Sequence, residues 1–351
     1  MAKSSFLDKS PFFIRLLHWE YWPFNLVYIP VSIYYLWLSI KARSLFFFST
    51  SNPSIETGGM FGESKYGIFK LLPHHTYPIT ILVEEGTSFD EVKIRMVEKK
   101  LTYPLIAKPD RGERGWLVSK IENEVDLKSY HAKVKIDFLL QAYVDLPLEL
   151  SIFYYRFPDA ANGIISSMVS KEMLEVTGDG KSTIRELILS YPRALLQLPV
   201  LQVELAAKMS AIPAMGEKVV LVPIGNHSRG AKFIDACHLI DDELTKAIDD
   251  LSKQIPGFYF GRYDLRCESL DSLKKGTGYQ VMELNGAGAE PAHIYHPGYS
   301  LIKAYKVLFH HFHVLYQISQ ANHKKGLPYM SLKEYRAMQK LIKAYRQKGN
   351  A

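Results

Sequence analysis

Gly261-Arg262-Tyr263-Asp264 and, after a polar connection at 267–278, Val281-Met282-Glu283-Leu284-Asn285-Gly286 decide how this chain reads. Both segments have the apolar content of strands. Side chains alternate along a strand, so Arg262 shares a face with Asp264, and Glu283 with Asn285. Pairing the two strands would gather two carboxylates, an amide and a guanidinium. Two carboxylates and an amide oxygen are hard ligands, of the kind magnesium takes when phosphates complete its shell. A guanidinium beside them could stabilise charge on a phosphoryl group in transfer. The same spacing equally allows a solvated cluster of cross-strand ion pairs.

Working outward, residues 241–255 form an amphipathic helix, with Leu244, Ile248, Leu251 and Ile255 on one face and Gly257 just past its end. Residues 300–317 read as a second helix. Residues 88–100 read as a third, opened by Ser88 with Glu91 three positions on. Strands are expected at 44–49, 79–84, 104–108, 116–121, 138–143, 150–155 and 163–169. Strand runs mixed with helices point to an α+β enzyme rather than a doubly wound sheet. Lys108 ends an apolar strand and leads into a loop with Gly112 and Gly115, an arrangement able to hold phosphates with an ammonium and backbone N–H groups. Its spacing is not that of a Walker loop. After the strand at 138–143, an extended linker could read an adenine edge through its backbone, and Glu149 could take ribose hydroxyls. On the residues alone, an ordinary buried strand with an exposed Glu is the preferred reading there.

Taken in order, these pieces resemble the ATP-grasp superfamily of carboxylate–amine ligases, in particular the D-alanine–D-alanine ligase type, over roughly residues 60–298. The resemblance implies two α+β subdomains clasping ATP, at 44–140 (including a truncated leading region) and 141–320. It implies metal ligands Asp264, Glu283 and Asn285, with Arg262 as the catalytic arginine. It implies Lys108 at the phosphates under a flap of Gly112, Glu113, Arg114 and Gly115. The adenine hinge falls on Gln141, Ala142, Tyr143 and Val144, and the ribose carboxylate on Glu149. Lys65 is the second nucleotide lysine, with Lys70 the weaker candidate. The stretch at 176–184 resembles the cyanophycin-synthetase branch. In that branch the loop at 225–230 faces substrate, which brings in His227 and Arg229. His227 also reads simply as a satisfied turn histidine. Gly286 and His293 fall on the substrate side.

Two departures bear on substrate. Only about 60 residues precede Lys65, so the domain that holds the first substrate in such ligases is reduced, with the loop at 56–62 replacing part of it. After Asn285 the chain runs Gly-Ala-Gly-Ala-Glu-Pro-Ala-His rather than Thr-Ser-Pro-Gly, so the acceptor pocket is remodelled. The resemblance thus implies an ATP-dependent ligase using Mg²⁺, or Mn²⁺ in its place, that forms an amide through an acyl phosphate on a lipid or amino-acid-derived substrate. A kinase-like phosphotransferase and an inactive nucleotide-binding scaffold remain the alternatives.

The composition fits a folded protein: 351 residues, 47% apolar and 23% charged. Two cysteines exclude a disulfide framework. Residues 321–351 hold eight Lys/Arg and one Glu, which accounts for the whole net charge of +7. The body is neutral, so a nucleic-acid partner is not expected. Residues 21–40 (YWPFNLVYIPVSIYYLWLSI) carry no charge. Two prolines and six Tyr/Trp favour a re-entrant or interfacial segment over a span, with a buried aromatic helix as the alternative. Residues 1–43 are therefore expected to associate with the cytoplasmic face of a membrane. The helix at 331–347 carries Leu332, Tyr335, Met338, Ile342 and Tyr345 as one stripe with cations around it. It suits either an anionic lipid surface or docking on the body. The oligomeric state is left open.

Overall fold

A computed structural model describes residues 10–113, 115–222, 225 and 227–350. The described strands are β1 (Thr80–Val83), β2 (Leu105–Pro109), β3 (Ser119–Ile121), β4 (Phe138–Ala142), β5 (Leu148–Tyr155), β6 (Ile164–Glu172), β7 (Leu174–Thr177), β8 (Lys218–Val222), β9 (Lys232–Asp235), β10 (Phe260–Cys267) and β11 (Tyr279–Asn285). They make a four-stranded sheet in the order β1-β4-β2-β3, a five-stranded sheet β11-β10-β5-β6-β9, and a pair β7-β8. Every pairing is antiparallel. This is the expected α+β architecture. The last strand of the small sheet ends at Ala142 and the first of the large sheet begins at Leu148.

The small sheet packs on the helices Phe89–Glu98 and Glu124–Lys133. Val92, Met96 and Leu127 meet Leu105, Ala107 and Leu140 there. Alternation sets the two faces of the large sheet. Leu150, Ile152, Tyr154, Tyr263, Leu265 and Leu284 point to one face, where Leu244, Ile248 and Leu251 of the helix Asp242–Lys253 cover them. Burying side chains of this size stabilises by about 1.5–3 kcal/mol each. The opposite face carries Glu149, Ser151, Phe153 and Tyr155 on β5, and Phe260, Arg262, Asp264 and Arg266 on β10. It is apolar at one end and charged at the other. The apolar end is roofed by the helices Ile29–Ala42 and Leu301–Lys324, through Leu38, Ala42, Val314, Leu315 and Ile318.

Two expectations change, and one open reading is decided. The uncharged run at 21–40 is broken into Trp19–Tyr21, Phe24–Val27 and Ile29–Ala42. Pro23 caps one piece and Pro30 lies in the first turn of the next, where a missing N–H costs nothing. No helix among the described residues is long and apolar enough to cross a membrane. Residues 44–49 are not a strand. Phe47–Thr50 is a 3₁₀ turn that buries Phe47 and Phe48 against the helices Ile29–Ala42 and Leu301–Lys324. The C-terminal helix Leu332–Gly349 has the predicted Ser331/Glu334 capping box, but its stripe faces the body. Tyr335 stacks on Phe46 at 4.8 Å, and Tyr345 packs edge-on to Trp116 and joins the small-sheet core. Docking, the second of the two readings, is what the structure has.

Candidate active site

The hairpin β10–β11 pairs Arg262 with Asn285 and Asp264 with Glu283, as the alternation required. Arg262 grips Asp264 with two nitrogens, Nη2–Oδ2 at 3.0 Å and Nε–Oδ1 at 3.3 Å. Asn285 Nδ2 donates to Asp264 Oδ2 at 3.1 Å. Ser151 Oγ donates to the same carboxylate, and Lys171 Nζ stands 3.1 Å away. Burial would raise the Asp264 pKa, but Arg262 and Lys171 outweigh it and hold the carboxyl well below the usual range. Asp264 is therefore ionised.

Lys65 and Lys108 arrive from the other side of the cleft. Lys65 opens the short helix Lys65–Phe69, whose start is tied to the end of β2: Ser64 Oγ and the Tyr66 N–H both donate to Asp110 Oδ1. Its ammonium lies 2.7 Å from Glu283 Oε1. Burial would raise the Glu283 pKa, yet Lys65 prevails and brings it down to about 2. Lys70 is exposed over Tyr66 and takes no part. Lys108 Nζ donates to Gln141 Oε1 at 2.9 Å and to the Met282 carbonyl at 3.0 Å, joining the two sheets. Glu149 accepts from Arg266 Nη2 at 3.1 Å and lies 3.4 Å from Lys171 Nζ. So Lys65, Lys108, Lys171, Arg262 and Arg266 converge on Glu149, Asp264 and Glu283. Five cations gathered in one cleft suit a polyphosphate.

Other predicted residues do something else. Gln141 is fully buried inside β4. Its backbone pairs with both β1 and β2, and its amide serves Lys108 and Thr80, so it positions a lysine rather than reading a base. The N–H groups of Ala142 and Tyr143 donate to the Ile79 and Pro104 carbonyls, so they too are engaged within the protein. Val144 gives its carbonyl to Arg266 at 2.9 Å. Gly112 and Gly115 have positive φ, as a tight loop needs. Glu113 pairs with Arg346 of the C-terminal helix at 2.7 Å, and Arg114 lies outside the described residues.

At Gly225 a Cβ would come within 2.2 Å of Glu149 Oε1, so that end of its loop does reach the site. His227 and Arg229 turn away. His227 Nε2 lies 2.9 Å from Glu20 Oε2, and Arg229 holds Glu204. A satisfied turn histidine is the reading that fits. Gly286 lies where a Cβ would meet the Gly58 carbonyl at 2.5 Å, so only glycine lets the two loops touch. His293 is buried against Ser167 at 2.7 Å, and burial lowers its pKa.

Lys171, Arg266, Ser151 and Glu63 belong to this cluster and were not singled out from sequence. Glu63 adjoins Lys65 in Gly62-Glu63-Ser64-Lys65. One of its oxygens is buried with no hydrogen-bond partner, and burial raises its pKa. No group of three or more His, Cys, Asp or Glu among the described residues could hold a metal ion. Asp264 and Glu283 are two carboxylates facing each other across paired strands. A cation there needs the Asn285 amide and phosphate oxygens to fill its shell, and this donor set suits a hard divalent ion.

No family model matches this chain, and no curated protein does. Solved structures do. A D-Ala:D-Ser ligase from Enterococcus faecalis aligns over 74% of this chain and 62% of its own, at 15% identity and a TM-score of 0.43. A bifunctional glutathione synthetase from Pasteurella multocida aligns over 70% and 35%, at 18% identity and a TM-score of 0.38. A D-alanine–D-alanine ligase from Bacillus anthracis, complexed with ATP, aligns over 74% and 66%, at 16% identity and a TM-score of 0.38. This chain spans less than two thirds of each. Likenesses of this size say nothing of substrate. The structures that this chain is similar to are ligases and synthetases.

Proposed function

We propose that this chain is an ATP-dependent ligase that joins a carboxylate to an amine. The observation that carries the reading is the four-residue register Arg262/Asn285 and Asp264/Glu283, with Lys65 from a short helix and Lys108 from the opposite sheet converging on it. A substrate carboxylate would take the γ-phosphoryl group, releasing ADP. An amine would then displace phosphate and form the amide. Lys65 and Lys108 bind the phosphates, and Arg262, held in place by Asp264, faces the charge that develops in transfer. Mg²⁺, held by Asp264, Glu283 and Asn285, would neutralise phosphate oxygens. The protein's contribution is position and fixed charge. A single donor of this kind is worth about 3–4 kcal/mol in the transition state.

A membrane surface is proposed as a partner on one observation. Ile29, Ile33, Leu36 and Ile40 lie on one face of the helix Ile29–Ala42 and are 53%, 65%, 52% and 76% exposed.

The purified protein is incubated with ATP, Mg²⁺ and a pool of carboxylates and amines, and the products are separated. ADP, phosphate and an amide should appear in equal amounts. Asp264→Asn should cut turnover by about a hundredfold or more with circular dichroism unchanged. A phosphorylated carboxylate without amide would identify a kinase instead, and nucleotide binding without turnover a scaffold.

A further inference from the structure

Beside the charged cluster lies a cavity of about 310 Å³. Its walls are apolar, including Val31, Phe260, Leu308, Phe312 and Leu315, and it sits beneath the helix Ile29–Ala42. One wall is the stretch 287–291, which follows Asn285 and Gly286. The cavity and the charged cluster thus share one face of one sheet, with Phe260 at the apolar end and Arg262 and Asp264 next along the same strand.

Its polar groups are few. Glu290 is the one charged side chain among its lining residues, and it accepts a hydrogen bond from Tyr295 at 2.8 Å. The Glu290 backbone carbonyl takes Arg262 Nη1 at 3.2 Å, which ties this stretch of chain to the charged cluster. His311 supplies no opposing charge. Burial pushes its pKa down to about 4, and both ring nitrogens are engaged, by Ser166 and the Val307 carbonyl. The Tyr28 hydroxyl is buried on the same wall with no partner, an unmet polar group that a ligand can satisfy.

We propose that this cavity binds the amine substrate, and that the amine is an amphiphile: an alkyl chain fills the apolar part and the ammonium pairs with Glu290. The volume is that of about ten waters, so about ten chain carbons fit. An anionic head would be repelled by Glu290, and a small free amino acid would leave the apolar walls empty. The inference rests on the ligase reading and names its acceptor. In the step itself the ammonium gives one proton to Glu290. The free amine then forms the N–C bond as the C–O bond to phosphate breaks, and the second proton leaves with phosphate. Burial lifts the Glu290 pKa to about 7, which suits a group that accepts a proton from an amine. The exposed apolar face of the roofing helix offers such an amine a way in from a lipid surface.

Binding is measured by calorimetry on the full chain, without nucleotide, using decylamine below its micelle concentration, butylamine, decanol and decanoate. Decylamine should bind at one site, about a hundredfold more tightly than butylamine and about tenfold more tightly than decanol. Glu290→Gln should abolish the preference for amine over alcohol and keep the dependence on chain length. Equal binding of decylamine and butylamine would overturn the proposal, as would an amine preference that survives in Glu290→Gln. The two readings can fail separately. Amide formed equally from short and long amines would retain the ligase and remove this pocket. Tight decylamine binding with no amide from any amine would retain the pocket and remove the ligase.

Discussion

Lys108 shows how burial sets the working range of a single residue. Desolvation lowers its pKa to about 8 against the opposing pull of Glu283, and its hydrogen bonds run only to acceptors, Gln141 Oε1 and the Met282 carbonyl. The charged form binds a polyphosphate and the neutral form does not, so the sign is fixed. ATP affinity should be flat below about pH 8 and fall by up to about tenfold per unit above it. Lys108→Met should bind ATP more weakly and lose that slope. Calorimetry at about pH 7 and about pH 9 checks it, and an unchanged slope in the variant would remove Lys108 from the phosphates. Arg262, Asp264, Glu283 and Asn285 were legible because a two-residue period on two strands already fixes which of them share a face. Lys108 was legible from its place at the end of an apolar strand before a glycine loop, and Lys65 only through the family pattern. Lys171, Arg266 and Glu290 were not, because each reaches the site through a strand pairing or loop approach that no local period encodes.

At the scale of elements, the two strands of the central hairpin were legible, but their connection was not a bare loop. It contains the helix Leu270–Lys274, started by Ser269 as cap. The N-terminal region was the least legible, because its run of aromatic residues has no single period. What fixes it is Asn52. The side chain is fully buried and makes four bonds: Nδ2 to the Gly58 and Phe260 carbonyls at 2.9 and 2.8 Å, and Oδ1 from the Tyr259 and Phe260 N–H groups at 2.9 and 3.0 Å. It thereby pins the loop that meets Gly286 to the start of β10. Asn52→Ala would leave those backbone groups dry and unpaired and should cost about 3–5 kcal/mol in denaturant unfolding. A loss below about 1 kcal/mol would mean that the loop is held by other contacts.

At the scale of the molecule, two sheets face each other across one cleft. The small sheet brings Lys108, the turn after it steadies Lys65, and the large sheet brings the carboxylates and Arg262. Along the large sheet the character changes from charged to apolar, and the N-terminal and Leu301–Lys324 helices close the apolar end. On the proposed reading, that gradient would set phosphate chemistry and an apolar acceptor side by side. The claim at the centre is that phosphate passes through the substrate's own carboxylate. It is tested most directly by supplying the carboxylate labelled with heavy oxygen and weighing the phosphate released during turnover. The account predicts one labelled oxygen in each phosphate, carried over when the amine breaks the C–O bond. Unlabelled phosphate accompanying amide formation would contradict it.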